Sequence, residues 1–488
     1  MKRIIFFLLA FSFVLSICAQ DIERTRNCRP QRPVHHTVQR AARRGPAVTS
    51  NNPYIGERRQ LVVMAAFKDQ AFSGDETETL EKWGKIMNAE NYNEAPYHGS
   101  FRDYFYAQSY GQFSLTCDLY YTVVDSMKKY RSTALDDENT KYLVQDVMNN
   151  IKYDVEDWAP YDWDDNGYVN QLLIIFSGKG QNAGGGKNTI WPHQWWLSEH
   201  TGCEPIKVSS GGKDYLVDSY CCTAELGETS NHGTFGTLCH EFSHCFDLPD
   251  FYDGSTSYLT FWDLMDYGTE CGNGFWPCGY SAYERAFMGW LTPVELTSDT
   301  VITGMPALSG SPTAYMVRND GHPDEYYLIE NRQSKGWDTK LPGSGIVIFH
   351  VDYDEEIFYL SEVNTPKLQR YLIIPANDEI LPIPVWKINS GWAYPYNGNN
   401  SLTNTSAPAA TLNNANKDGK FLMSKSITDM SVNNGLASFK FERDYTGINS
   451  VRANAADDAW YTIDGRRLSD KPVVHGLYIH RGELVLIR

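Results

Sequence analysis

Residues 237–253 read TLCHEFSHCFDLPDFYD: two histidines four apart around a glutamate, followed at once by Leu248, Pro249 and a cluster of acids. Placed on a helix over 234–247 at about 100° per residue, Phe235, Leu238, Phe242 and Phe246 share one face, and His240 and His244 the other. Such a helix buries one stripe and offers two imidazoles, a turn apart, to a single zinc ion. Glu241 lies beside the histidines and not among the phenylalanines, so it can reach a water at the ion without ligating. Zinc makes water nucleophilic at a pKa of about 7. Glu241 would take the proton as that water attacks a carbonyl and then hand it to the leaving amine. The stretch predicts zinc-dependent peptide-bond hydrolysis. Two unrelated surface histidines would have no use for the aligned aromatic stripe.

Several residues compete for the third ligand position. Pro249 disfavours helical geometry at Leu248, so the chain turns just after His244 and can bring Asp250 back to the metal. Asp247 would share the histidine face on a continued helix. Glu270 and Glu284 are more distant carboxylates for the role, and Asp253 reads as structural.

Working outward, the chain of 488 residues is long enough for two to four units. Its hydrophobic fraction of 42% and aromatic fraction of 14% are those of a folded protein. A formal charge of -17 argues against nucleic acid as a partner, because phosphate binding needs a basic patch. Met1-Lys2-Arg3 followed by IIFFLLAFSFVLSICA has the form of a secretory signal ending near Ala19. No other stretch is apolar enough to cross a bilayer. Residues 20–58 form a basic, poorly patterned leader, with Arg43-Arg44 and Arg58-Arg59 as cuts for a processing protease; an inert spacer is the competing reading. An oxidising compartment favours disulfides among the remaining cysteines. Removal of the leader would take Cys28 and leave an even number, so Cys28 is a candidate latency thiol whose thiolate could block the zinc.

RQLVVMAAFKD (59–69) and VNQLLIIFSG (169–178) read as strands buried on both faces. A helix starts near Ser100 and TKYLVQDVMNNI is amphipathic. From about Thr300 short strands broken by Gly, Pro and Asn point to a β-sandwich-like unit. The fold class is therefore α+β. Its expected parts are a signal (1–19), a leader (20–58), a catalytic domain of mixed sheet and active-site helix (59–297), a β-sandwich-like domain (298–445) and a short β tail (446–488).

HEFSHCFDLPDFYD resembles the H-E-x-x-H-x-x-G-x-x-D pattern of the immune inhibitor A-like secreted metallopeptidases, with Asp247 where that family has glycine. Aspartate tolerates left-handed geometry better than most residues, so the turn can survive the change. GSFRDYFYAQSYGQFSL, GKGQNAGGGKNTIWPHQ, FWDLMDYG and YSAYERAFMGWLTPVEL are similar to further segments of that family, over about residues 58–443. The resemblance implies a zincin- or metzincin-like catalytic domain, zinc on His240, His244 and Asp250, and Met265 as the floor beneath the site. It also implies protein or peptide substrates. The ending, GLYIHRGELVLIR, is similar to C-terminal sorting tails of the Bacteroidetes type IX pathway; a plain β-hairpin clamp is the alternative.

Three further features carry chemistry. Asp162, Asp164 and Asn166 alternate ahead of Gly167, as at the start of a calcium loop, but Leu173 stands where an EF-hand needs glutamate. A solvated acidic turn explains them equally well. His193 in IWPHQWW could line a cleft, although tryptophans covering the sheet account better for that stretch. Tyr267 could hydrogen-bond a developing oxyanion. The expectation is thus a secreted, monomeric zinc endopeptidase made as a precursor. The rival is a surface adhesin on the same scaffold with little turnover, which would have no need of Glu241.

Overall fold

The computed structural model describes residues 52–133, 136–254, 256–443, 459–463, 465–480 and 483–487. The signal-like segment, Cys28, Arg43-Arg44 and the beginning of the tail lie outside them.

The first half is built on a five-stranded sheet in the order β2-β1-β4-β8-β5, from β1 (Gly56–Phe67), β2 (Phe113–Val124), β4 (Leu172–Lys179), β5 (His193–Trp196) and β8 (Ser219–Leu226). Four strands run parallel, and β5 pairs antiparallel at the edge. The unbroken apolar run of β1 follows from this position. Leu61, Val63, Ala65 and Phe67 face one core with helix α3 (Thr140–Ile151), while Val62, Met64 and Ala66 face a second core with α1 (Glu76–Asn88) and α2 (Phe101–Gln108). Ser100 caps α2: its hydroxyl accepts from Asp103 N, and the Asp103 carboxylate accepts from Ser100 N. A small sheet, β3 (Tyr168–Val169), β7 (Lys213–Val217) and β6 (Ile206–Ser210), packs nearby.

The second half holds another five-stranded sheet in the order β10-β12-β13-β14-β15, comprising β10 (Val294–Glu295), β12 (Tyr315–Arg318), β13 (Glu325–Arg332), β14 (Gly345–Asp352) and β15 (Tyr371–Ile373). On one face Val317, Tyr327, Ile329, Ile346 and Ile348 meet a three-stranded sheet of β11 (Thr300–Met305), β17 (Lys425–Asn433) and β18 (Leu436–Arg443). The other face, with Leu328, Val347, Phe349, Val351, Tyr371 and Ile373, joins the core that also buries the histidine-bearing helix. The two halves therefore share one continuous apolar core. A short strand pair, β9 (Thr256–Ser257) with β16 (Ile383–Pro384), stitches them together. The C-terminal part is a four-stranded sheet of β19 (Trp460–Thr462), β20 (Arg467–Leu468), β21 (Gly476–His480) and β22 (Glu483–Ile487). Among the described residues no helix is long and apolar enough to cross a membrane.

Three expectations need correction. No disulfide forms among the eight described cysteines. Adjacent Cys221 and Cys222 point into opposite cores because strand neighbours alternate, whereas Cys271 and Cys278 lie against each other as free thiols. Burial pushes the thiols of Cys117, Cys221, Cys222, Cys239 and Cys278 upward, so they remain protonated. Arg58-Arg59 is part of β1, paired with Leu115 and Thr116, and Arg59 forms an ion pair with Asp118, so this dibasic step is sheet and not a loop. Finally, the histidine-bearing helix does not continue to 247. It ends at Ser243 and gives way to a 3-10 turn over His244–Phe246.

Candidate metal centre

Helix α4 (Phe235–Ser243) forms where the apolar spacing demands it: Phe235, Leu238, Phe242 and then Phe246 insert into the core, with Phe242 and Phe246 edge-on to Phe105. Gly236 is required by close approach. A Cβ there would lie 2.0 Å from the carbonyl oxygen of Thr269. Asp247 ends the turn in the left-handed region at φ 65°, a conformation aspartate adopts more readily than most residues. Leu248 and Pro249 then lead the chain back so that Asp250 faces the helix.

His240, His244 and Asp250 are all buried, and one ligand atom from each lies within 4.8 Å of the others. His240 Nε2 is 3.2 Å and His244 Nε2 3.6 Å from Asp250 Oδ1, and the two rings stand at 83°. Each imidazole is oriented through its other nitrogen. His240 Nδ1 donates to the Leu264 carbonyl at 3.0 Å, and His244 Nδ1 donates to the Leu248 carbonyl at 2.8 Å. These bonds fix the rings and turn both Nε2 atoms toward Asp250, as ligating histidines require. Both carboxylate oxygens of Asp250 are buried, and Oδ1 faces the two Nε2 atoms, a concentration of buried acceptors that a divalent cation would satisfy. Burial lowers the pKa of His240, but the Asp250 carboxylate outweighs it and lifts the imidazole to about 9, so the trio attracts positive charge. Donor types, burial and orientation fit zinc. Glu241, 1% exposed, follows His240 on the same helix and stays outside the ligating set.

Behind the trio, Asp263 Oδ1 accepts from Met265 N and the Met265 carbonyl accepts from Phe251 N, so buried Met265 lies in the loop that carries Leu264 to His240. The other carboxylates are engaged elsewhere. Glu270 bonds His232 at 2.6 Å. Glu284 caps helix α5 (Ala282–Phe287) by accepting from Ser281 N, and burial, then the charge of Asp263, push its pKa well up. Asp253 bridges to Thr256 through backbone.

In the 162–170 turn, the Asp162 carboxylate accepts from Asn166 N and Gly167 N and has Lys213 Nζ 3.5 Å away, while Asn166 Nδ2 donates to Asp164. His193 is tied into the sheet edge, with Nδ1 donating to the Trp191 carbonyl and Nε2 3.1 Å from the Tyr220 hydroxyl. The Tyr267 ring packs edge-on against Phe261.

One support of the site carries no local sequence signal. Asp250 N donates to Ser361 Oγ, and Asn364 Nδ2 donates to the Phe251 carbonyl, both across more than a hundred residues.

Two imidazoles and a carboxylate on a helix and the turn that follows it, with a glutamate alongside, form an arrangement like that of a metallopeptidase. Residues 66–291 match the family model described as immune inhibitor A peptidase M6, catalytic domain. Immune inhibitor A of Bacillus thuringiensis subsp. alesti is 25% identical over 315 residues, 52% of this chain and 44% of that protein. The pre-pro-metalloprotease PrtV of Vibrio cholerae serotype O1 (strain M66-2) is 25% identical over 183 residues, 31% of this chain and 19% of that protein. The chain thus spans less than half the length of these relatives.

Proposed function

We propose that the chain is a secreted zinc-dependent endopeptidase, made as a precursor, that hydrolyses peptide bonds of proteins. The observation that carries this reading is the convergence of His240, His244 and Asp250, with both Nδ1 atoms bound to carbonyls and Nε2 turned inward. These three residues would hold the zinc. The ion, when bound, would supply Lewis acidity that polarises the scissile carbonyl and makes water acidic near neutral pH. Glu241 would orient the attacking water, take its proton on the carboxylate and deliver that proton to the amine nitrogen as the C–N bond breaks. Its burial keeps bulk water from competing for the proton. The relatives named above are described as an immune inhibitor and a metalloprotease, in keeping with protein substrates. The signal-like start supports export.

Cleavage of an unfolded protein substrate should stop with a chelator and return with added zinc. In Glu241→Ala it should fall by about 10²–10⁴-fold or more, while metal analysis still finds one zinc. Equal rates for Glu241→Ala and the parent would refute the role of Glu241. A parent that takes up no zinc would refute the metal centre.

A further inference from the structure

The segment that follows helix α6 (Glu355–Tyr359) reaches back to the candidate metal centre, from a part of the chain well beyond the matched catalytic region. Ser361 closes α6 with its backbone in the left-handed region, at φ 57°, and its N–H donates to the Phe358 carbonyl. That backbone places Oγ 3.1 Å from the amide of Asp250, where it accepts the hydrogen bond in a buried setting. Three residues on, buried Asn364 uses its whole amide. Nδ2 donates to the carbonyls of Phe251 and Tyr371, and Oδ1 accepts from the amides of Arg370 and Tyr371. Phe251 and Tyr371 add a ring contact at 4.2 Å, and the Tyr371 hydroxyl donates to Asp263 at 3.3 Å, in the loop that orients His240.

We infer that Ser361 and Asn364 are positioning residues of the metal centre: they hold the Asp250–Phe251 backbone so that the Asp250 carboxylate faces the two imidazoles. The inference rests on the zinc reading proposed above. Its physical basis is that Asp250 follows a turn, not a helix, so nothing in its own segment fixes its backbone amide. A buried N–H without its acceptor would draw that backbone toward another partner and swing the carboxylate. Outer partners of this kind typically change metal affinity by about 10–100-fold.

The test uses the whole chain with two replacements at one position. Ser361→Ala deletes the acceptor and keeps the backbone demand. Ser361→Gly deletes the acceptor while easing the left-handed conformation, so it should fold at least as well as Ser361→Ala. Zinc affinity is read by competition with a chromophoric chelator, the cobalt-substituted absorption spectrum reports ligand geometry, and thermal unfolding of the zinc-stripped chain reports the fold. Both variants should bind zinc about 10–100-fold more weakly with an altered cobalt spectrum, and Ser361→Gly should do so with a zinc-free unfolding midpoint no lower than that of Ser361→Ala and a single cooperative transition. Parent-like zinc affinity and cobalt spectrum in both variants would overturn the inference and leave the metal centre standing. Absence of zinc binding by the parent would remove both.

Discussion

At the residue scale, the two aspartates that follow the second histidine have separate tasks. Asp247 supplies a backbone in the left-handed region, and Asp250 supplies a carboxylate to the histidine pair. Asp247→Gly should therefore keep its zinc and change stability by no more than about 1 kcal/mol, since glycine takes that conformation without a Cβ penalty. Asp250→Ala should lose the metal. Zinc analysis after dialysis, with denaturant unfolding alongside, distinguishes the two; zinc lost from Asp247→Gly and kept by Asp250→Ala would reverse the assignment. The competition between these residues was visible in the sequence; spacing alone left it open, while the resemblance to the metallopeptidase pattern favoured Asp250. Spacing places both within reach of the ion, and only the break in the helix after Ser243 turns one away and the other inward.

At the scale of elements, helix α4 is held by the loops around its start as much as by its own apolar stripe. Gly236 N donates to the Gly274 carbonyl, and the helix backbone passes so close to Thr269 that no side chain fits. Gly236→Ala should cost about 3 kcal/mol through overpacking against backbone that cannot give way, measured as a lower denaturant midpoint with unchanged slope. Beside it, the His232–Glu270 pair ties the loop before the helix to the turn after Met265. Hydrogen bonding to Glu270, against the opposing effect of burial, raises the pKa of His232. A raised histidine contributes stability that is fully present below its unfolded value of about 6.5 and disappears as pH climbs through the folded value. The stability gap between the parent and His232→Gln should then be larger at pH 5.5 than at pH 9, by up to about 1 kcal/mol because the pair is partly exposed. A gap that grows with pH would contradict this sign. The helix and the strands of the first half were legible from periodicity, since burial on one or two faces writes itself into residue spacing. The docking that demands glycine at 236 was not, because it depends on a loop more than thirty residues away.

Across the whole molecule, the second five-stranded sheet is wedged between its small partner sheet and the core of the histidine-bearing helix. Arg332, at the end of β13, is buried in this wedge. It donates to Asp338 and Glu330, and to the carbonyls of Trp262 and Gly279 in the loops beneath the site. Burial raises the pKa of Glu330, and the nearby Arg332 charge works against that rise. Arg332→Met should therefore destabilise the chain by about 3–5 kcal/mol, because it strands buried carboxylates without their cation. Equilibrium unfolding checks the magnitude, and a change below about 1 kcal/mol would argue that the halves are coupled by apolar contact alone.

By itself, the sequence determined the chemistry on offer, with two imidazoles a turn apart, a glutamate beside them and a proline that bars the helix from continuing past it, because these relations are local and periodic. It also determined which strands are buried on both faces. Only the tertiary structure decided how the helix break turns Asp250 and not Asp247 toward the histidines, that no disulfide joins two described cysteines, and that Ser361 and Asn364 brace the Asp250 turn. Those outcomes depend on backbone hydrogen bonds and packing between segments up to a hundred residues and more apart, and contacts at that range leave no periodic trace in the chain.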